Sequence, residues 1–240
     1  MNDLKIGVIG GMGPEATSEF YMKLIKATRA KKDQEHYHVF IDSNAKIPDR
    51  TKAILENGKS PVSEITKTAK NLELLGVDVA CMPCMTAHYF IEDIQKEVSY
   101  TIMNVFEEVK KYIYNNFPSH LKVGVLATTG TIETGLFDKY LGDVNVIYPN
   151  HISQKRKVME AIYGENGLKS GQTEGEPVEL LIEASNELIE SGANIIICGC
   201  SEIGMVLKED MIEKPLIDPM DTLVNATIGH SEEVRIKNVK

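Results

Sequence analysis

Short apolar runs alternate with longer amphipathic stretches along most of the chain. The first run, Leu4-Lys5-Ile6-Gly7-Val8-Ile9, ends in Gly10-Gly11-Met12-Gly13-Pro14. Pro14 suits the first turn of a helix, where a missing N–H is harmless, and helical spacing follows over about 15–28. The β-branched and aromatic run Tyr37-His38-Val39-Phe40-Ile41 stops at Asp42-Ser43-Asn44. The turn Lys46-Ile47-Pro48-Asp49-Arg50-Thr51 opens a short helix. Ser60-Pro61-Val62-Ser63-Glu64 starts another that runs to Leu75, with cap, proline and acid in the order a helix start prefers. Residues 76–84 read as a strand, 86–98 as a helix, 101–104 as a short strand and 105–114 as a helix.

The alternation then restarts. Leu121-Lys122-Val123-Gly124-Val125-Leu126 is a strand that enters the polar turn Ala127-Thr128-Thr129-Gly130-Thr131. A strand at 144–148, a helix near 153–161, a glycine-rich loop at 163–171 and a helix over 177–190 lead to a strand at 192–200. Pro215-Leu216-Ile217-Asp218 closes this half, 220–228 reads as a terminal helix, and the charged 231–240 reads as a frayed tail. Gly7 aligns with Gly124 and Gly13 with Gly130 (124 − 7 = 130 − 13 = 117), while Cys84 aligns with Cys200 (200 − 84 = 116). Landmarks sharing an offset within one residue imply an internal repeat.

Alternating strands and helices imply parallel sheets with right-handed crossovers. The expected fold is therefore α/β, with two pseudo-twofold-related domains, each a mainly parallel sheet flanked by helices. The expected division is 1–103 plus 217–240 for one domain and 104–216 for the other. Such a pair places Cys84 and Cys200 on facing sheet edges, across a cleft where open α/β folds bind ligands.

Composition narrows the chemistry. At 240 residues and 42% hydrophobic, the chain can bury a large core, and no apolar run approaches the roughly 20 residues that span a bilayer. The first residues lack a signal-peptide pattern, so no membrane role and a cytoplasmic location are expected. A net charge of −9 without a basic block argues against a nucleic-acid partner. An anionic substrate would need local cations.

The four cysteines form two close pairs, Cys81/Cys84 and Cys198/Cys200. Burial as small hydrophobes fits Cys81 and Cys198, each just inside its strand. Four thiolates on one metal is a second reading, but the Cys198-x-Cys200 spacing is too tight for a usual knuckle. A redox pair at Cys81-Met82-Pro83-Cys84 is a third, with its first cysteine inside the strand rather than opening a helix. The fourth reading is a two-base mechanism. One thiolate removes a proton from a carbon acid, and the opposite thiol delivers another to the other face.

The motifs Gly10-Gly11-Met12-Gly13-Pro14, Pro48-Asp49-Arg50-Thr51, Met82-Pro83-Cys84-x-Thr86-Ala87-His88, Ala127-Thr128-Thr129-Gly130-Thr131 and Gly199-Cys200-Ser201-Glu202 occur in order. Together they resemble the aspartate/glutamate racemase family, specifically its aspartate racemase branch, from about residue 4 to residue 228. The resemblance implies a cofactor-independent racemase without metal, commonly a homodimer, whose small-molecule partner is an acidic amino acid. It implies Cys84 and Cys200 as the catalytic pair, and Arg50 and Lys169 as cations for the substrate side-chain carboxylate. It also implies Met12, Asn44, Thr86, Thr128 and Thr131 as residues lining the substrate site, together with Met85 and Ser201 beside the cysteines. His88 and Glu202 are expected to support the site from behind. Two departures stand out: Met85 occupies the place of the usual Asn, and Ser201 that of the usual Thr. The first bears on substrate identity more than on fold.

The expected reaction is interconversion of L- and D-aspartate, with glutamate or a broader set of amino acids as the alternative. A catalytically impaired amino-acid or dicarboxylate-binding protein is a rival of another class. Gly11-x-Gly13-x-x-Ala16, with Asp42 ending the next strand, also fits a relaxed dinucleotide fingerprint. The equivalent turn at 127–131 does not repeat it, and a dehydrogenase has no role for paired thiols.

Overall fold

The computed structural model describes the backbone of residues 4–238 and the side chains of residues 4–231. Two four-stranded, all-parallel sheets form its frame. The first contains β1 (Lys5–Gly10), β2 (His38–Ser43), β3 (Val79–Cys81) and β4 (Thr101–Ile102), ordered β2-β1-β3-β4. The second contains β5 (Lys122–Leu126), β6 (Asn145–Ile147), β7 (Ile195–Cys198) and β8 (Leu216–Ile217), ordered β6-β5-β7-β8. The two orders are the same, so the repeat inferred from glycine and cysteine spacing is a repeat of topology. Helices flank both sheets, as the α/β pattern requires. Ile217 pairs with Ile197, so the chain leaves the second sheet only after residue 217.

Strand alternation sorts the core into layers. Ile6, Val8, Val79 and Cys81 from the first sheet join Val123, Val125, Ile195 and Ile197 from the second in one apolar cluster. The opposite faces are covered separately. Ile9, Ala80 and Met82 pack with Ile65 and Leu72 of the helix Val62–Leu74. Leu126, Ile196 and Cys198 pack with Leu181 and Leu188 of the helix Glu176–Glu190. Gly7 and Gly124 make this covering possible. A Cβ on Gly7 would lie 3.1 Å from Leu72, and one on Gly124 would lie 2.7 Å from Ile196 and 3.2 Å from Leu188. In both halves, a central-strand glycine therefore lets a helix settle close to the sheet.

Several elements differ from the sequence expectation. The strand expected over 76–84 is confined to Val79–Cys81, because Met82–Cys84 already turns away, with the Cys84 N–H donating to the Met82 carbonyl at 2.7 Å. The helix expected over 86–98 begins as a 3-10 turn, Thr86–Phe90, and continues as Ile91–Gln95. The segment near 153–161 is helical from His151 to Tyr163, with a π turn over Gln154–Val158. The terminal helix runs Pro219–Asn238, so 231–238 is helical rather than a frayed tail; residues 239–240 lie outside the described region. No proline interrupts that stretch, and the Ser231 hydroxyl donates to the Thr227 carbonyl one turn back. Among the described residues, no helix is long and apolar enough to cross a membrane.

Candidate active site

The site is assembled from the segments that follow the carboxyl ends of β1, β2, β3, β5 and β7. After β1, Gly11 takes φ +89°, and a Cβ there would lie 2.3 Å from the Asn44 backbone. That contact presses the 11–13 turn against the loop that follows β2. Asn44 is held locally, its amide nitrogen donating to Thr68 Oγ1 at 3.2 Å and its Oδ1 accepting from the Lys46 N–H at 3.1 Å.

Arg50 is the first residue of the helix Arg50–Leu55, which Asp49 caps by accepting the Lys52 N–H at 2.8 Å. Its side chain is drawn inward, leaving the residue 8% exposed. Nη2 donates to the Met12 carbonyl at 3.1 Å and Nη1 to the Pro48 carbonyl at 3.0 Å, while Nε is buried without a partner. Burial works against the guanidinium charge, but the Cys84 sulfur and Asp49 outweigh it and hold its pKa above the ordinary value. A charged group fixed by neutral carbonyls, with one donor left over, is suited to an incoming anion.

Cys84 is 6% exposed. Behind it, the Val105 N–H donates to His88 Nε2 at 3.3 Å, so Nδ1 carries the ring hydrogen and donates to the Cys84 carbonyl at 2.9 Å. Burial pushes the His88 pKa down to about 4. The unfolded chain protonates near pH 6.5, so acidification through that window favours unfolding. We expect stability to fall by about 2 kcal/mol from this residue between pH 7 and pH 4.5. Urea unfolding of wild type and His88→Gln across that range checks it. The difference between the two proteins should shrink as pH falls, and a constant difference contradicts it.

Thr86, Thr128 and Thr131 form a triangle of hydroxyls at 3.1, 2.8 and 3.0 Å that joins the turn after β3 to the turn after β5. Thr128 also caps the helix Thr129–Glu133 by accepting the Thr131 N–H. All three threonines are buried.

Around Cys200 the chemistry is different. Its thiol donates to Glu202 Oε2 at 2.9 Å, and the Ser201 hydroxyl donates to the same oxygen at 3.1 Å. The other oxygen, Oε1, pairs with Lys169. Burial and then the Glu202 carboxylate push the Cys200 pKa well above its ordinary value, with Lys169 opposing them. Burial alone would raise the pKa of Glu202, but Lys169 and the Cys200 hydrogen bond reverse that and lower it. Lys169 loses to burial and gains more from Glu202 and Cys200, so it remains a cation.

Tyr163 is a member of this site that the sequence did not single out. Its ring lies under Lys169, with Nζ 5.6 Å from the centroid, and its hydroxyl donates to Asp49 Oδ2 at 3.1 Å. It thus ties the loop beside Cys200 to the cap of the Arg50 helix. An aromatic residue opening a loop that bears a lone cation was the available signal. Met85 is 1% exposed and packs in the apolar cluster shared by both sheets. A Cβ on Gly13, next to the Met12 carbonyl that holds Arg50, would lie 3.5 Å from Glu202 Oε1. The turn that holds Arg50 through Met12 therefore adjoins the carboxylate that holds Cys200.

The inner cysteines have other surroundings. Cys81 contacts Thr227 Oγ1 at 3.0 Å and burial pushes its pKa up to about 12, while Cys198 belongs to the outer core of the second sheet. Among the described residues, no group of three or more His, Cys, Asp or Glu side chains is arranged to hold a metal ion. Asp42, the acid of the dinucleotide fingerprint, accepts a hydrogen bond from Asn71.

Repeated parallel sheets with a buried cysteine beyond the same strand of each define a racemase-type isomerase scaffold. The chain belongs to the Asp/Glu/hydantoin racemase family, whose model matches residues 9–227. It is 31% identical over 231 residues to the broad specificity amino-acid racemase RacX of Bacillus subtilis, covering 93% of this chain and 96% of that protein. Among solved structures it is similar to the aspartate racemase of Picrophilus torridus, with TM-score 0.81 and 28% identity, covering 95% of this chain and 94% of the other. Glutamate racemase from Francisella tularensis, solved with D-glutamate, shares the fold at TM-score 0.68 and 20% identity, covering 98% of this chain and 83% of that one.

Proposed function

We propose that the protein interconverts L- and D-aspartate without a cofactor, using Cys84 and Cys200 as the two bases. The observation that carries the acidic substrate is Arg50, a buried cation beside Cys84 whose Nε has no partner. A side-chain carboxylate docked there would be held by charge and by an otherwise unsatisfied donor. The α-carbon would then lie between the thiols. One thiolate takes the α-proton, the charge spreads onto the α-carboxylate, and the opposite thiol returns a proton to the other face. Thr86, Thr128, Thr131 and Ser201 supply hydroxyls for the α-amino and α-carboxylate groups. The expected assembly is a homodimer and the expected setting cytoplasmic.

A broader specificity is the second reading. Lys169 is already neutralised by Glu202, which among the described site residues leaves Arg50 as a cation to select a second carboxylate, and the relative from Bacillus subtilis is named as broad in specificity. The test is incubation of the metal-free protein in D₂O with L-aspartate, L-glutamate and a panel of neutral and basic L-amino acids. Proton NMR reads α-deuteration, and chiral chromatography reads inversion. Aspartate should exchange and racemise fastest. Preferential turnover of a neutral or basic amino acid would favour the broader reading, and racemisation that depends on added pyridoxal phosphate or metal would sink both.

A further inference from the structure

The two thiols occupy equivalent places in the repeat, but their neighbours differ in charge. Beside Cys84 stands the guanidinium of Arg50. The residue two positions after Cys84 is Thr86, a neutral hydroxyl turned toward Thr128 and Thr131. The residue two positions after Cys200 is Glu202, and its carboxylate accepts the Cys200 thiol at 2.9 Å. The charged or titratable groups facing Cys200 are Glu202 from its own helix and Lys169 and Tyr163 from the 163–171 loop. Of these, only the carboxylate accepts the thiol hydrogen.

We infer that Glu202 is a positioning residue that keeps the proton on Cys200 in the resting protein, with Lys169 limiting its pull, so that Cys200 rests as the acid of the pair. The inference rests on the two-thiol reading above. A thiolate at Cys200 would set a second negative charge against a carboxylate that is itself buried, and like charges so placed oppose ionisation of the pair. The Glu202 carboxylate remains ionised because Lys169 is paired to its other oxygen. The proton balance follows. The α-proton passes to Cys84, the Cys200 proton passes to the opposite face of the carbanion, and Cys200 is left as the thiolate. The resting state returns when a proton leaves Cys84 for water and another reaches Cys200.

Thiol ionisation can be read without turnover. Each protein is pulsed with iodoacetamide at pH 7 unless stated otherwise, and the Cys200-to-Cys84 labelling ratio is measured by peptide mass spectrometry. Alkylation tracks the thiolate fraction. In wild type, Cys84 should label first. Glu202→Gln should raise the ratio about tenfold, as a drop of roughly one pKa unit requires. Lys169→Met, pulsed at pH 9 so that Glu202 stays ionised without its cation, should lower it relative to wild type at the same pH, because the carboxylate is no longer offset. Opposite movements are not expected of local unfolding, which would raise labelling in both, and Lys169→Met alone decides the matter if Glu202→Gln does not fold. A ratio unchanged in both variants, or lowered by Glu202→Gln, overturns the inference. If wild type racemises and the ratios do not move, this inference fails alone. If the ratios move and no amino acid is racemised, the functional reading fails instead.

Discussion

Replacing Cys84 by alanine, or Cys200 by alanine, should each lower aspartate racemisation by about a hundredfold to ten-thousandfold, the scale of losing a positioned acid or base. Neither change should unfold the protein, since each deletes one sulfur and leaves the backbone of its turn unchanged. The variants should differ from one another in proton exchange. A single remaining thiol can still remove the α-proton that faces it and return a deuteron to the same face. In D₂O, each variant should therefore label one enantiomer without inverting it, and the two variants should choose opposite enantiomers. Chiral chromatography and proton NMR on the same samples decide this. If either variant keeps more than a tenth of wild-type racemisation, its cysteine is not one of the two bases.

Arg50→Met should have the second largest effect. Met keeps much of the volume but removes the charge, and truncating one partner of a buried charge pair typically costs about 2–5 kcal/mol. Several hundredfold in kcat/KM for aspartate is expected on that scale. The fall should be smaller for an amino acid with no second carboxylate, because only the side-chain carboxylate loses its partner. The change also leaves the Met12 and Pro48 carbonyls without their donor, so a stability loss of about 2 kcal/mol should accompany it. Steady-state kinetics on aspartate and alanine, with thermal unfolding beside them, separate the two effects. An equal loss on both substrates would mean that Arg50 serves the fold rather than recognition.

Much of the frame was legible because its signals are local. The run from Leu4 to Ile9, the glycines at 7 and 124 and the thiols at strand ends are each readable within ten residues. Their shared offset then revealed the repeat. What escaped was non-local. Met85 reads as a neighbour of the cleft because it follows Cys84, yet the turn after β3 directs it into the core shared by both sheets. The loop cation Lys169 reads as free, while the fold brings Glu202 to it from 33 residues away. Tyr163 has no motif of its own, and its role depends on Asp49, which lies 114 residues earlier. The inner cysteines look alike in sequence, but the 116-residue offset maps Cys81 onto Ile197 (81 + 116 = 197), not onto Cys198. Strand alternation accordingly sends Cys81 and Cys198 to different layers of the core.

The triangle of Thr86, Thr128 and Thr131 works as a clasp between the two halves of the repeat. Three hydroxyls in mutual contact can pass their hydrogens around a small ring, each donating to one neighbour and accepting from the other. The ring satisfies its own donors while it ties the two turns together, so separating them would leave three hydroxyls without partners.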